Sequence, residues 1–414
     1  MLKHKKIALK NTDYNNFDNM ALNRNMQQLL RIAQKDERLG IGLMSGTSLD
    51  GLDIALCRFT GHGMQTQFEL LNFITIPYND YFKGEVRQVF AKRNADLEKL
   101  ALLNAYIGNY HAALILQALE EWQIKPVEVD YIASHGQTVY HAPARQHRQP
   151  GYPNATLQIG DGDHIAIKTG IITISDFRQK HIAGGGEGAP LALYGDVLLG
   201  SKPGENRLLL NIGGIANATW LPASQNLNEV FSTDIGPGNT IIDAACKKYF
   251  DMPFDRDGEI AQAGTVDKAL LDILLEHPFF NQQLPKTTGP EVFNLALAEN
   301  IMAGQGTPYI RPADLIATLT AFTGESIVRF VNTYVSTYVN IYTSGGGASN
   351  PAITAYLQKH LKQAAILNTM ALGINPDAKE AILFAMLGNE ALAGELVAIG
   401  NNPAVLMGKF SLPY

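Results

Sequence analysis

The chain has 414 residues, 46% of them hydrophobic and 17% charged, with a formal net charge of −6. That length suits two folded domains better than one core, and the acidic balance gives no attraction to nucleic acid or an anionic membrane surface. Cys57 and Cys246 lie far apart in apolar segments, which favours buried free thiols over a disulfide or metal site; with no run of transmembrane length and no apolar stretch behind Lys3–Lys6, a cytoplasmic protein is expected.

Residues 1–38 are rich in Asn, Lys and Arg and read as an extension, with one amphipathic helix across Met20, Leu22, Met26, Leu29, Leu30 and Ile32. Strands are predicted at Leu39–Met44, Leu52–Phe59 and Phe68–Ile76, then a helix from Leu97 to Trp122 with apolar residues three and four apart. From Val129 strands and helices alternate. The Gly/Pro/Lys/Asn segment Gly200–Asn206 marks a boundary, giving expected units 39–205 and 206–414. Three short strands follow it before a helix at Thr240, so the opening pattern occurs twice.

Between the first two strands stands Gly46-Thr47-Ser48-Leu49-Asp50-Gly51-Leu52-Asp53. Glycine and small hydroxyl residues let backbone N–H groups approach an anion, and Asp50 and Asp53 could hold a cation or water against phosphate oxygens. The plainer alternative is a hairpin turn between core strands. Similar turns follow later strand-like runs: Asn211 to Asn217 with Gly213 and Gly214, Asp234 to Thr240, and Ser344 to Pro351 with Gly345, Gly346 and Gly347. No Gly-Lys-Ser/Thr follows any of them and no dinucleotide glycine spacing occurs. Separated turns of this kind fit an open α/β protein that binds phosphate in a cleft between two lobes.

Asp176, at the end of the strand Ile171–Ile174, faces a glycine loop and is placed to take a proton from a hydroxyl or water. Arg178 could orient a carboxylate or phosphate through two N–H groups. A helix-capping Asp with an Arg partner would look the same. His135, Gln137, Thr138 and His141 end another apolar strand and suit a polar ligand such as a sugar; their spacing matches no common metal pair.

Eight blocks in order, MSGTSLDGLD (44–53), SHGQTVYHAP (134–143), QIGDGDHIA (158–166), DFRQKHIAGGGEGAP (176–190), LLNIGGIANAT (209–219), DIGPGNTIID (234–243), TTGPEVFN (287–294) and GGGASNP (345–351), resemble the anhydro-N-acetylmuramic acid kinase family of the actin/hexokinase/Hsp70 superfamily. Ser344 stands where family members often carry Cys, and Asn211 where many superfamily relatives carry Asp. The resemblance implies a two-lobed actin/hexokinase-like, ribonuclease H-like α/β fold with a nucleotide cleft. It implies ATP-dependent opening of a 1,6-anhydro bond by water, with phosphorylation of the freed O6, in cell-wall recycling. Asp176 would be the general base, and Gly46, Thr47, Ser48, Leu49, Asp50, Gly51, Leu52 and Asp53 would contact phosphates with Gly213, Gly214 and Asn217. Gly345, Gly346 and Gly347 would lie by the adenosine. His135, Gln137, Thr138, Arg178 and Glu380 would meet the amino sugar. Triphosphate chemistry calls for a hard divalent ion, Mg2+, whose ligands the sequence does not single out; a homodimer is left open. The rivals are a sugar or carboxylate kinase that leaves the anhydro ring intact, and a nucleotide-gated switch.

Overall fold

The computed structural model describes residues 22–189, 191–304, 310–335, 337–396, 398–400 and 402–414. Of the expected extension, residues 1–21 lie outside this description, as does Pro190 of the fourth block; the helix runs from Arg24 to Ala33, capped by the Asn23 side chain.

The described residues form twelve strands: β1 (Glu37–Ser45), β2 (Gly51–Thr60), β3 (Gln67–Pro77), β4 (Tyr131–Ala142), β5 (Ala155–Ile159), β6 (Thr173–Ser175), β7 (Arg207–Ile212), β8 (Ile215–Leu221), β9 (Phe231–Pro237), β10 (Val339–Ser344), β11 (Ala364–Asn368) and β12 (Lys409–Ser411). They make two sheets, ordered β12-β6-β4-β1-β2-β3, with β5 beside β4, and β11-β10-β7-β8-β9. In each, an antiparallel meander of three strands ends in the central strand, and two parallel strands continue beyond it: β3-β2-β1-β4-β6 matches β9-β8-β7-β10-β11. The opening pattern repeated in the sequence is therefore one topology built twice, the arrangement expected of two actin-like lobes. In both sheets the turns rich in glycine sit at the carboxyl ends of the strands, where open α/β sheets bind ligands.

The helix Leu97–Glu121 covers one face of the first sheet, and the helix Pro312–Tyr334 packs on the second. A third cluster joins the sheets. It combines Met44, Ala55 and Tyr131 with Leu209, Leu221 and Tyr342 around the helices Ala192–Gly200 and Lys379–Ala393. Every residue from Ala381 to Glu390 is buried, as a helix enclosed on all sides requires. Gly42 of β1 permits the approach, since a Cβ there would sit 1.9 Å from the Ala381 carbonyl oxygen.

The expected unit 206–414 does not stay with its own sheet. The helix Lys379–Ala393 packs on β1, β2 and β4, and β12 pairs antiparallel with β6. The chain returns to the first sheet because that sheet's inner face would otherwise expose Met44, Ala55 and Tyr131.

Candidate active site

In the second sheet three glycine turns touch one another. Gly213 and Gly214 form the tight connection between β7 and β8, and their carbonyls accept from the N–H groups of Asn239 (2.7 Å) and Gly238 (3.1 Å). This seats the start of the helix Thr240–Phe250 on the turn. Gly345 has φ +80°, and a Cβ there would lie 2.7 Å from the Ile212 oxygen and 2.8 Å from Asn211 Oδ1. Main chain comes close to main chain in this corner. At the first sheet, Gly46 to Asp50 cap the β1–β2 hairpin with Thr47 and Ser48 exposed. Leu49 (φ +61°) and Leu52 turn their side chains into the core, so only their backbone can face a ligand.

A cavity of about 1080 Å³ opens between the sheets. Asn211, Asn217 and Asp234 sit side by side on β7, β8 and β9 along one wall; Gly345 and Gly346 after β10 and Lys286 of a loop line it too, and Glu187, Asp377 and Glu380 are also part of it. Asp234 accepts from the Thr288 N–H (2.9 Å), yet burial leaves its carboxyl above the usual range. Lys286, 7% exposed, donates to the carbonyls of Phe279 (3.1 Å) and Phe280 (3.2 Å) and lies 4.4 Å from the Phe279 ring centroid; burial lowers its pKa. Neither Asp234 nor Lys286 carried an expected role, although both lie in or beside the quoted blocks.

Asp176 opens on a separate cavity of about 360 Å³, shared with His135, Gln158, Asp161 and Lys409. Its backbone is left-handed (φ +55°) at the start of the helix Phe177–Ala183, and its side chain makes no cap bond. Instead it pairs with Lys409 of β12. His135 is buried; desolvation first, and then Arg178, push its pKa down to about 3, so the ring is neutral. Its Nε2 accepts from Arg178 Nε (3.2 Å) and Nη2 (3.0 Å), and Arg178 Nη1 donates to the Gly188 carbonyl (2.8 Å). Arg178 also feels the charge of Glu380. It therefore links a wall of the small cavity to a wall of the large one.

The expected sugar contacts divide. His135 lines a cavity. Gln137 is fully buried, with Oε1 accepting from Ser45 (2.5 Å) and Nε2 donating to the carbonyls of Gly46 and Thr138 (both 3.3 Å). Its amide is committed, and releasing it would strand buried polar groups. Thr138 Oγ1 accepts from Gln158 (3.0 Å) and lines neither cavity.

Carboxylates gather by the first turn. Asp53 accepts from Thr75 Oγ1 (2.6 Å), but burial, then Asp377 and Asp50, raise its pKa. Glu380, open to the cleft, is raised by partial desolvation and then by Asp53. Crowded oxygen donors of this kind suit a hard divalent cation. Among the described residues no three His, Cys, Asp or Glu side chains converge to hold a metal, and no helix is long and apolar enough to cross a membrane.

Solved chains overlay loosely: component A of the Acidaminococcus fermentans (R)-2-hydroxyglutaryl-CoA dehydratase covers 86% of this chain and 99% of its own at TM-score 0.40 and 11% identity. Sequence relatives match far more closely. The anhydro-N-acetylmuramic acid kinase of Pseudoalteromonas atlantica is 51% identical over 95% of this chain and all of its own length. That of Caldanaerobacter subterraneus is 39% identical over 94% and 100%. The family model described as anhydro-N-acetylmuramic acid kinase matches residues 38–406, a span that takes in the strands of both sheets up to β11 and every glycine turn described above. The chain belongs to the anhydro-N-acetylmuramic acid kinase family.

Proposed function

We propose that the chain uses ATP and water to convert 1,6-anhydro-N-acetylmuramic acid into N-acetylmuramic acid 6-phosphate and ADP. The observation that carries this reading is the 51% identity, end to end, with a relative named for that kinase activity. In the proposed reaction Asp176 takes a proton from water as its oxygen bonds to the anomeric carbon. The C1–O6 bond breaks, O6 bonds to the γ-phosphorus, and the bond from that phosphorus to the β–γ bridging oxygen breaks, the oxygen leaving with ADP. The product is a reducing sugar carrying phosphate on O6.

The large cleft has room for a nucleotide, and the small cavity, at about 360 Å³, is of monosaccharide size. Phosphates would lie against the backbone of Gly46 to Asp53, of Gly213 and Gly214, and against Asn217; the adenosine would lie by Gly345 to Gly347. Arg178 and His135 would orient the sugar, and Glu380 would approach it from the cleft. Mg2+ would arrive with the triphosphate and neutralise its charge, held through Asp50 and Asp53. We propose that the lobes, 39–205 and the later chain built on β7, close on one another in turnover, excluding all water but the reacting one. This would bring Asp176 and the transferred phosphoryl group together.

The test is ADP release by the purified chain with and without the anhydro-sugar. The reading expects negligible release alone and a large increase with the sugar. Equal release in both would overturn it in favour of a nucleotide-gated switch.

A further inference from the structure

Beneath the first glycine turn runs a chain of hydrogen bonds that the proposed reaction does not use. His111, on the helix Leu97–Glu121, places Nε2 3.0 Å from the Tyr78 hydroxyl. Tyr78 donates to Ser45 Oγ (2.7 Å), and Ser45 donates to Gln137 Oε1 (2.5 Å). Gln137 Nε2 then donates to the main-chain carbonyl of Gly46 (3.3 Å). The four side chains belong to residues at most 3% exposed.

The direction of the chain is fixed. Burial pushes the His111 pKa down to about 3, so its ring carries one proton. Its Nδ1 has no partner among the described residues. A buried N–H without an acceptor costs more than an acceptor without a donor, so the proton sits on Nε2 and points at Tyr78. Every later hydroxyl then has its single proton committed toward Gln137, and bonds aligned in this way strengthen one another.

The last bond acts on one peptide. The Gly46 carbonyl accepts from Gln137 and also from the Leu49 N–H (3.3 Å), which holds it inward. In a trans peptide the N–H points opposite to the C=O. The Thr47 N–H is therefore turned outward, at the exposed tip of the turn. We propose that Tyr78 and His111 are positioning residues that fix the Gly46–Thr47 peptide with its N–H presented to a nucleotide phosphate. This rests on the phosphate reading of residues 46–53 given above.

The test measures binding of a non-hydrolysable ATP analogue to the full chain without sugar, together with the KM of each substrate. Tyr78→Phe removes only the hydroxyl and keeps the ring against Phe82 (centroids 4.1 Å apart). It should weaken analogue binding and raise KM for ATP about tenfold, the worth of one misplaced hydrogen bond to a charged group, with KM for the sugar unchanged. His111→Leu should behave alike. His111→Gln, whose amide N–H can stand where Nε2–H stood, should restore wild-type binding, an outcome that a purely structural role for the ring does not produce. Wild-type binding in Tyr78→Phe and His111→Leu, with only a lower Tm, would overturn the proposal. Failure of the unaltered chain to bind the analogue would overturn the phosphate reading itself and this inference with it.

Discussion

The two sheets share one strand order yet equip the carboxyl ends of their strands differently. In the second sheet Gly213, Gly214, Gly238 and Gly345 bring main chain to within contact of main chain, and polar side chains stand in a row on β7, β8 and β9. In the first sheet the same ends carry Asp176, His135 and Arg178, each with a specific partner, and a crowd of carboxylates around Asp53. A duplicated topology has become a division of labour. The second half offers close main-chain approach, which suits phosphate; the first, beside its own turn at Gly46–Asp53, adds the base we propose, Asp176, and titratable groups, which suit bond cleavage.

If that division is right, substitutions on the two sides should fail differently. Asp176→Asn should lower turnover by roughly a thousandfold, in the range of a lost general base, while a non-hydrolysable ATP analogue binds as before. Near-normal turnover would remove Asp176 from the chemistry. Gly345→Ala should do the reverse. Its φ of +80° and the 2.7 Å approach to the Ile212 oxygen cost about 1–3 kcal/mol of strain, and analogue affinity should fall about 10- to 100-fold with little change in turnover at saturating ATP. Unchanged affinity would mean the third turn does not meet the nucleotide.

Arg178→Lys keeps the charge but loses the fork that reaches His135 and Gly188 together. It should raise KM for the sugar about tenfold and leave KM for ATP alone; a change confined to ATP would move Arg178 to the other side of the comparison.

The smallest effect concerns pH. The folded-state pKa of Asp53 is raised, chiefly by burial, so its carboxylate destabilises the ligand-free fold once ionised. That cost is absent below the carboxyl's unfolded pKa and complete above its folded one. Asp53→Asn should therefore raise Tm by roughly 1–2 °C at pH 7, and the gain should vanish as the pH falls through the acid range. A gain that persists in acid would deny the charge origin.

Much of this was legible along the chain. The first three strands and the helix Leu97–Glu121 lie within two residues of their expected bounds, because alternation and helical spacing are local signals. The turns were legible because glycine with small polar residues has few other uses at strand ends. What escaped depends on partners far away in sequence. Nothing near Gln137 reveals that Ser45 and Gly46 occupy its amide, nor does Asp176 reveal Lys409, which reaches it only because β12 closes the first sheet. Position in the chain groups Leu49 and Leu52 with the phosphate turn, whereas their side chains answer to the core. Lys286 opens a polar turn that in the sequence reads equally as an ordinary loop, because a lone lysine reads as solvated until its burial is known.

The central claim is that one turnover joins hydrolysis to phosphorylation. The most direct measurement is conversion of 1,6-anhydro-N-acetylmuramic acid with ATP in ¹⁸O-labelled water, followed by prompt mass spectrometry of the sugar phosphate. The account predicts one label in the product, at the anomeric hydroxyl and before exchange. A phosphorylated sugar that retains its anhydro ring and carries no label would contradict it, leaving a plain sugar kinase on the same two sheets.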